Sequence, residues 1–335
     1  MFSRKVSCGD CIAGVRRVAT CTGAAGFVAS HLTDRLLRDG WTVTGIDNLA
    51  TGDERNLRDA RATGRFAFVN ADVAQPWDRW LAALGEAPRL VLHFASPASP
   101  LQYERLALET MAANAVGTMH AVGCAHAAGA TLLYASTSET YGDPLEHPQR
   151  EAYWGNVNPV GMRSCYDESK RYGEAYVTTA VRKLGVDGRV VRIFNTYGPR
   201  MQAGDGRVIP NFCAAALRGE PLTVYGSGAQ TRSFCYVDDL VDAIVRFATR
   251  PGLGGSVINA GNPDEYTIRQ LADVIARLAG AELRVEERPL PADDPARRRP
   301  DITLARELLA WEPATPLEAG LRRTLDYFRS ASRGA

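Results

Sequence analysis

The chain has 335 residues, 45% of them apolar and 23% charged, with 39 basic against 38 acidic side chains and a formal net charge of +1. That length buries a full core, in one large α/β domain or two unequal lobes. The balanced charge gives no long-range field for gathering nucleic acid or an acidic membrane, so an anionic ligand must be held by local groups.

No apolar run approaches the roughly 20 residues that cross a bilayer, and the N-terminus lacks the apolar core of a signal peptide. The expectation is therefore a cytoplasmic protein with no membrane partner. Seven cysteines, an odd number scattered along the chain, read as reduced thiols rather than a disulfide framework. Cys8 and Cys11 form a lone CxxC pair without a second pair at zinc-site spacing, so no metal is expected there. Residues 1–14 read as a loose N-terminal extension.

From residue 15 short apolar runs alternate with amphipathic stretches, the pattern of βαβ units and a parallel sheet. The predicted strands are Val18–Thr22, Thr42–Ile46, Phe66–Val69, Leu90–Phe94, Thr131–Ala135 and Arg189–Ile193. Helices are predicted over Phe27–Arg38, Glu104–Ala128 and Cys165–Leu184. This predicts a Rossmann-type doubly wound α/β domain over 15–194. Beyond Asn195 the chain turns to Gly- and Pro-punctuated loops. Strands are predicted there at Leu222–Tyr225 and Leu283–Glu287, and helices near Pro210–Arg218 and Ile268–Leu278. Helix Val237–Ala248 and strand Val257–Asn259 look as if they return to the large sheet. The predicted division is thus 15–194 with 233–262 for the large domain, and 195–232 with 263–335 for a smaller, interleaved substrate-binding lobe.

Between the first strand and the first helix lies Thr22-Gly23-Ala24-Ala25-Gly26-Phe27-Val28-Ala29. Glycines there let the backbone turn tightly and approach a pyrophosphate, to which the helix N-terminus presents free N–H groups. Asp47 ends the second strand, 47 − 23 = 24 residues on, near the spacing of a carboxylate that accepts hydrogen bonds from an adenosine ribose diol. The same carboxylate would repel a 2′-phosphate, so NAD is expected over NADP. The bland alternative is a tight turn and a capped loop. Two features cut against the dinucleotide: the first strand is poor in large apolar residues, and Ala29 stands where a glycine usually lets helix and strand pack closely. The expectation is a weaker or slightly displaced cofactor.

Tyr166-Asp167-Glu168-Ser169-Lys170 puts a phenol and an amine one turn apart on one helical face. A neighbouring ammonium and a positive nicotinamide ring would both favour the phenolate, making Tyr166 a base for a substrate hydroxyl. An ordinary amphipathic face would read the same way. The chain, however, holds only three lysines, Lys5, Lys170 and Lys183, and spends one where a compact ammonium differs from a guanidinium. Tyr134-Ala135-Ser136-Thr137-Ser138-Glu139 follows the fifth strand at the carboxyl edge where doubly wound sheets bind ligands; hydroxyls and a carboxylate there suit acid–base chemistry or merely satisfy a loop.

With these residues in view, the chain resembles the extended short-chain dehydrogenase/reductase family, and within it the UDP-glucuronate decarboxylases, or UDP-xylose synthases. The resemblance runs from about Val18 to Phe328. It rests on His93-Phe94-Ala95-Ser96-Pro97-Ala98-Ser99-Pro100, Ser136-Thr137-Ser138-Glu139, Tyr153-Trp154-Gly155, Cys165-Tyr166-Asp167-Glu168, Asn195-Thr196-Tyr197-Gly198-Pro199-Arg200-Met201, Asp205-Gly206-Arg207-Val208, Val224-Tyr225-Gly226-Ser227-Gly228, Gln230-Thr231-Arg232, and Asp293-Asp294-Pro295 running on to Arg298, Pro300 and Asp301. Ser138-Glu139 separates subgroups: the sugar-nucleotide 4,6-dehydratases carry Asp-Glu there, and the 4-epimerases usually lack the Glu.

The resemblance implies an NAD site of Gly23, Gly26, Phe27, Val28, Asp47, Asn48, Thr51, Gly52, Asp72, Val73, Ala95, Ser96, Asn114, Tyr166 and Lys170. It implies a nucleotide-sugar site of Pro97, Tyr103, Glu139, Asn195, Arg200, Val208, Tyr225, Gln230, Arg232 and Arg298. Chemistry would fall to Thr137, Ser138, Glu139, Tyr166, Lys170 and Arg298. The implied reaction is conversion of UDP-glucuronate to UDP-xylose through a 4-keto sugar, with NADH recycled internally. Glu139 and Ser138 are assigned to the carboxylate side, where Glu139 destabilises the substrate carboxylate by like charge or organises a proton donor. The family's dimerisation through its two long helices implies a homodimer. Glu109 and Ala112 replace lysines common in the family, which puts a contact to the nicotinamide ribose in question. Release of the 4-keto pentose, a dehydratase or epimerase reaction, and a non-catalytic sensor on the same fold stay open as alternatives.

Overall fold

A computed structural model describes residues 16–78, 86–289 and 297–333. The CxxC pair Cys8 and Cys11 and the Asp293-Asp294-Pro295 run lie outside the described residues.

The strands in chain order are β1 Val18–Thr22, β2 Thr42–Asp47, β3 Phe66–Asn70, β4 Leu90–His93, β5 Thr131–Thr137, β6 Asp187–Ile193, β7 Thr196–Tyr197, β8 Leu222–Tyr225, β9 Thr231–Ser233, β10 Cys235–Tyr236, β11 Val257–Ala260, β12 Glu265–Thr267, β13 Val285–Arg288 and β14 Arg297–Arg298. The principal helices are α1 Phe27–Arg38, α2 Pro100–Arg105, α3 Ala107–Ala128, α4 Ser164–Leu184, α5 Val208–Arg218, α6 Val237–Thr249, α7 Ile268–Ala279, α8 Thr303–Leu309 and α9 Leu317–Arg333.

Seven strands form one sheet in the order β11-β6-β5-β4-β1-β2-β3, and the paired strands run parallel. Strand order reverses between β1 and β4, so the loops after these two strands diverge to opposite faces and open a crevice at their carboxyl ends. The small side chains of β1 follow from its place at the centre: all five of its residues are buried between β2 and β4. The helix expected over Glu104–Ala128 is divided. Leu106, at φ −117° and ψ 46°, leaves the helical region between α2 and α3. Ala29 is buried in α1 at 3% exposure, so its methyl is accommodated in the packing between α1 and the sheet.

Helix α4 can lie close on β5 because residue 173 is glycine: a Cβ there would overlap the Tyr134 hydroxyl. That approach brings Lys170 to the edge of β5. After β6 the chain builds the smaller layer, where β13 pairs with β8 and β9 lies between β12 and β14. It rejoins the large sheet as β11, with Val257 opposite Val190 and Ala260 opposite Ile193. One continuous apolar core joins Leu32 and Leu36 of α1 to Phe212, Leu271 and Leu325 of α5, α7 and α9, which fixes the cleft between the layers. Cys21, Cys124, Cys165, Cys213 and Cys235 are free thiols.

Candidate active site

The loop after β1 is built around a side-chain oxygen. Thr22 Oγ1 accepts from the amides of Phe94 and Ala95, each at 3.1 Å, and bonds His93 Nδ1 at 2.9 Å, tying the ends of β1 and β4 together. Gly23 then turns with φ +70°, and a Cβ on it would sit 2.9 Å from the backbone of Phe94 and Ala95. Gly26 is the N-cap of α1 and offers no side chain to the first turn, leaving the helix N-terminus to a ligand. Asp47 accepts from Ala25 N at 3.0 Å and Leu49 N at 2.8 Å. Burial raises its pKa and these two amides oppose the rise. A glycine cradle that a methyl would fill, an open helix N-terminus and a fixed carboxylate fit a dinucleotide with a ribose diol.

Across the crevice, β5 runs on to Thr137 and closes in a single 3-10 turn, Ser138–Tyr141. Thr137 caps that turn, its hydroxyl accepting from Glu139 N at 3.2 Å. Tyr166 and Lys170 lie on consecutive turns of α4. Lys170 Nζ donates to Ala135 O at 2.9 Å and lies 5.7 Å from the centre of the Tyr166 ring. Burial pushes the ammonium down to about 7, against the pull of Glu174. Burial also drives the Tyr166 phenol well above its ordinary range, opposed by a hydrogen bond with Thr137. Glu174 is itself clamped: Arg192 forks onto it at 2.9 and 2.7 Å and Ser136 donates to it at 2.5 Å.

At the far side of Tyr166, Glu139 sits between two guanidiniums. Its Oε1 accepts from Arg298 and its Oε2 from Arg163. Burial raises the Glu139 pKa, but Arg298, Arg163 and Arg232 together outweigh it and hold the carboxyl below its usual range. The pairing β9·β14 sets Arg298 opposite Arg232, which explains how residues distant in sequence converge here. Glu139 is thus a carboxylate neutralised by its two arginines, rather than a bare repelling charge. Asp167, next to the tyrosine, is pushed up to about 7 by burial and by Glu139.

Asp47, Thr137, Glu139, Arg163, Tyr166 and Lys170 line one cleft of about 1260 Å³, room for two ligands where single-ligand pockets hold about 300–1,000 Å³. Nearly all the site residues expected from the sequence reach its wall. Gly52 and Asn114 do not. Gly52 backs Asp47, whose Oδ1 would lie 2.9 Å from a Cβ there, and Asn114 is fully buried with its amide donating to Ser169 Oγ at 3.0 Å. Arg200 lines the cleft while ion-paired to Asp34 at 2.7 Å, on α1. Glu109 lines the cleft as well. Sequence reasoning missed Arg163 and the Ser136–Glu174–Arg192 clamp; Arg163, three residues before Tyr166, was one basic residue in a loop, with no local pattern to single it out.

The fold and site fit a dinucleotide-dependent enzyme of the doubly wound α/β class. A family model, the NAD dependent epimerase/dehydratase family, matches residues 19–261; the chain belongs to this family. It is 48% identical over 313 residues to UDP-glucuronic acid decarboxylase 1 of Danio rerio, covering 93% of this chain and 73% of that protein. It is also 48% identical over 316 residues to UDP-glucuronic acid decarboxylase 2 of Arabidopsis thaliana, covering 94% and 68%. Among solved structures it is similar to a UDP-glucose 4-epimerase of Thermotoga maritima with UDP-glucose, at TM-score 0.86 and 28% identity over 94% of this chain and 99% of that one. It is similar too to DesIV, a dTDP-glucose 4,6-dehydratase of Streptomyces venezuelae with NAD bound, at TM-score 0.85 and 27% identity over 95% and 98%.

Proposed function

We infer that this protein is an NAD-dependent decarboxylase converting UDP-glucuronate to UDP-xylose. The observation that carries the reading is the convergence on one cleft wall of Tyr166, Lys170 and the arginine-bound Glu139, beside a cradle for a dinucleotide. The decarboxylase relatives, at 48% identity, support it, and the Ser138-Glu139 pair favours it over dehydration.

A hexuronic acid does not lose carbon dioxide directly, because the electron pair left on C5 has no acceptor. When bound, NAD supplies a two-electron acceptor at C4 and returns that pair to the sugar afterwards, so it is not consumed. Tyr166 takes the proton of the 4-hydroxyl, with Lys170 and Thr137 lowering the cost of its phenolate. The resulting 4-keto acid breaks its C5–carboxylate bond, and the electron pair moves into an enolate whose oxygen Tyr166, now protonated, and Thr137 can bond. One such donor in a dry site contributes about 3 kcal/mol. Ser138 and Glu139 face the carboxylate side, where C5 takes up a proton from water in place of the carboxylate it has lost. Asn195 and Arg232 suit the diphosphate and Tyr225 the uracil, since Arg gives planar, bidentate contacts.

Exposed Leu108, Met111, Val116 and Met119 on α3 and Tyr172 on α4 favour a homodimer through these two helices. Among the described residues no helix is long and apolar enough to cross a membrane. The large domain is assigned to 15–194 with 233–262, and the substrate lobe to 195–232 with 263–335.

The test is incubation with UDP-glucuronate and a trace of NAD. One carbon dioxide per UDP-xylose, without lasting reduced nicotinamide, is expected. Lasting reduced nicotinamide in proportion to carbon dioxide would instead identify an oxidative decarboxylase that releases the 4-keto pentose.

A further inference from the structure

Glu139 occupies a receptor. Each of its oxygens takes a different guanidinium, Arg298 on Oε1 and Arg163 on Oε2. Arg298 is 4% exposed, and its Nε has no hydrogen-bond partner among the described residues. Arg163 lies on the cleft wall. Its carbonyl accepts from the amides of Tyr166 and Asp167, both at 3.0 Å, so its backbone is fixed to the first turn of the helix that carries the base. A group that binds an anion and a group that takes a proton are therefore held one turn apart on one rigid element, as adjacent sugar positions C4 and C5 require.

Resting on the reading above, we propose that Arg163 is a specificity-determining residue that binds the carboxylate of the hexuronate together with Arg298, taking the place that Glu139 holds between them. A carboxylate in such a fork gains charge-assisted hydrogen bonds that a 6-hydroxymethyl group cannot make. Glu139 would then compete with the acidic sugar and leave a neutral sugar unaffected.

The experiment compares the affinities of UDP-glucuronate and UDP-glucose for NAD-loaded protein in a Tyr166→Phe background, which stops turnover. The background protein should prefer the acid by about 10-fold or more. Adding Arg163→Gln should weaken UDP-glucuronate about 10-fold while moving UDP-glucose less than about twofold. Arg163→Lys should fall between, keeping the charge without the fork. Adding Glu139→Gln instead should tighten UDP-glucuronate and leave UDP-glucose unchanged.

Equal weakening of both sugars by Arg163→Gln, or of neither, overturns the proposal. NAD affinity reports whether each variant is folded. If Arg163→Gln loses it, Glu139→Gln decides, and an unchanged affinity for the acid overturns the proposal. No preference for the acid in the background protein overturns the substrate reading as well; a preference that survives Arg163→Gln overturns only the role of Arg163.

Discussion

The Tyr166 ring stacks on the Tyr103 ring at 5.0 Å between centroids and 10° between planes, with both side chains buried. The phenol of the candidate base is therefore fixed by a flat apolar neighbour, and its hydroxyl alone projects to Thr137 and the cleft. Tyr166→Phe keeps the stack and removes only the hydroxyl. It should retain NAD affinity and stability while lowering turnover by about 100-fold to 10,000-fold, the usual contribution of a general base. Turnover within a few-fold of the parent protein would remove Tyr166 from the mechanism.

Lys170 presents a prediction that needs no substrate. Burial lowers its pKa to about 7, and Glu174 is the charge that opposes the drop. With three lysines in the chain, carbon-13 labelling at lysine Cε gives few resonances to follow. One should titrate with a midpoint of about 7, and Glu174→Gln should move that midpoint lower. If every lysine titrated near the ordinary value of about 10.4, the burial argument would fail.

Asp167 links the site to stability. Its carboxyl is held at about 7 in the folded chain against 3.8 for an unperturbed group, so the folded state keeps a proton that the unfolded state has released. Folding is then opposed increasingly as pH rises from 3.8 to about 7, with the full cost above that. Its Oδ1 is buried without a hydrogen-bond partner among the described residues. Asp167→Asn should stabilise the protein by on the order of a few kcal/mol above neutrality and by little in acid. Thermal unfolding across the pH range checks this, and a gain that is the same at every pH would contradict it.

Gly23 combines a φ of +70° with a Cβ position 2.9 Å from the Phe94 and Ala95 backbone. Gly23→Ala must therefore strain the turn and push β1 and β4 apart. It should weaken NAD binding by at least about 10-fold and lower stability by about 1–2 kcal/mol. Unchanged NAD affinity, measured by titration, would show that this loop does not cradle the dinucleotide.

The parts legible in the sequence were those with a long periodic signal or a rare spacing. Strand β1 and helix α1 were delimited to the residue, because apolar periodicity and the glycine turn agree there. Strand β5 was cut short at Ala135 because its last residues, Ser136 and Thr137, are polar where the strand meets the site. The division of the long helix at Leu106 had no Gly or Pro to mark it. Strands β7, β9, β10, β12 and β14 have only two or three residues, too short for any periodicity to register. Arg163 and Glu174 gain their roles from residues on other elements, Glu139 with Arg298 and Ser136 with Arg192, which only the fold brings together.

The central claim is that oxidation at C4 precedes loss of the carboxyl group, and a single turnover observes that order directly. NAD-loaded protein is mixed rapidly with UDP-glucuronate carrying deuterium at C4, while the near-ultraviolet absorbance of reduced nicotinamide and the release of carbon dioxide are followed together. The account predicts an absorbance that rises before carbon dioxide appears, rises more slowly than with unlabelled substrate, and decays as UDP-xylose forms with the label back at C4. Carbon dioxide released with no such transient, and at a rate indifferent to the label, would contradict it.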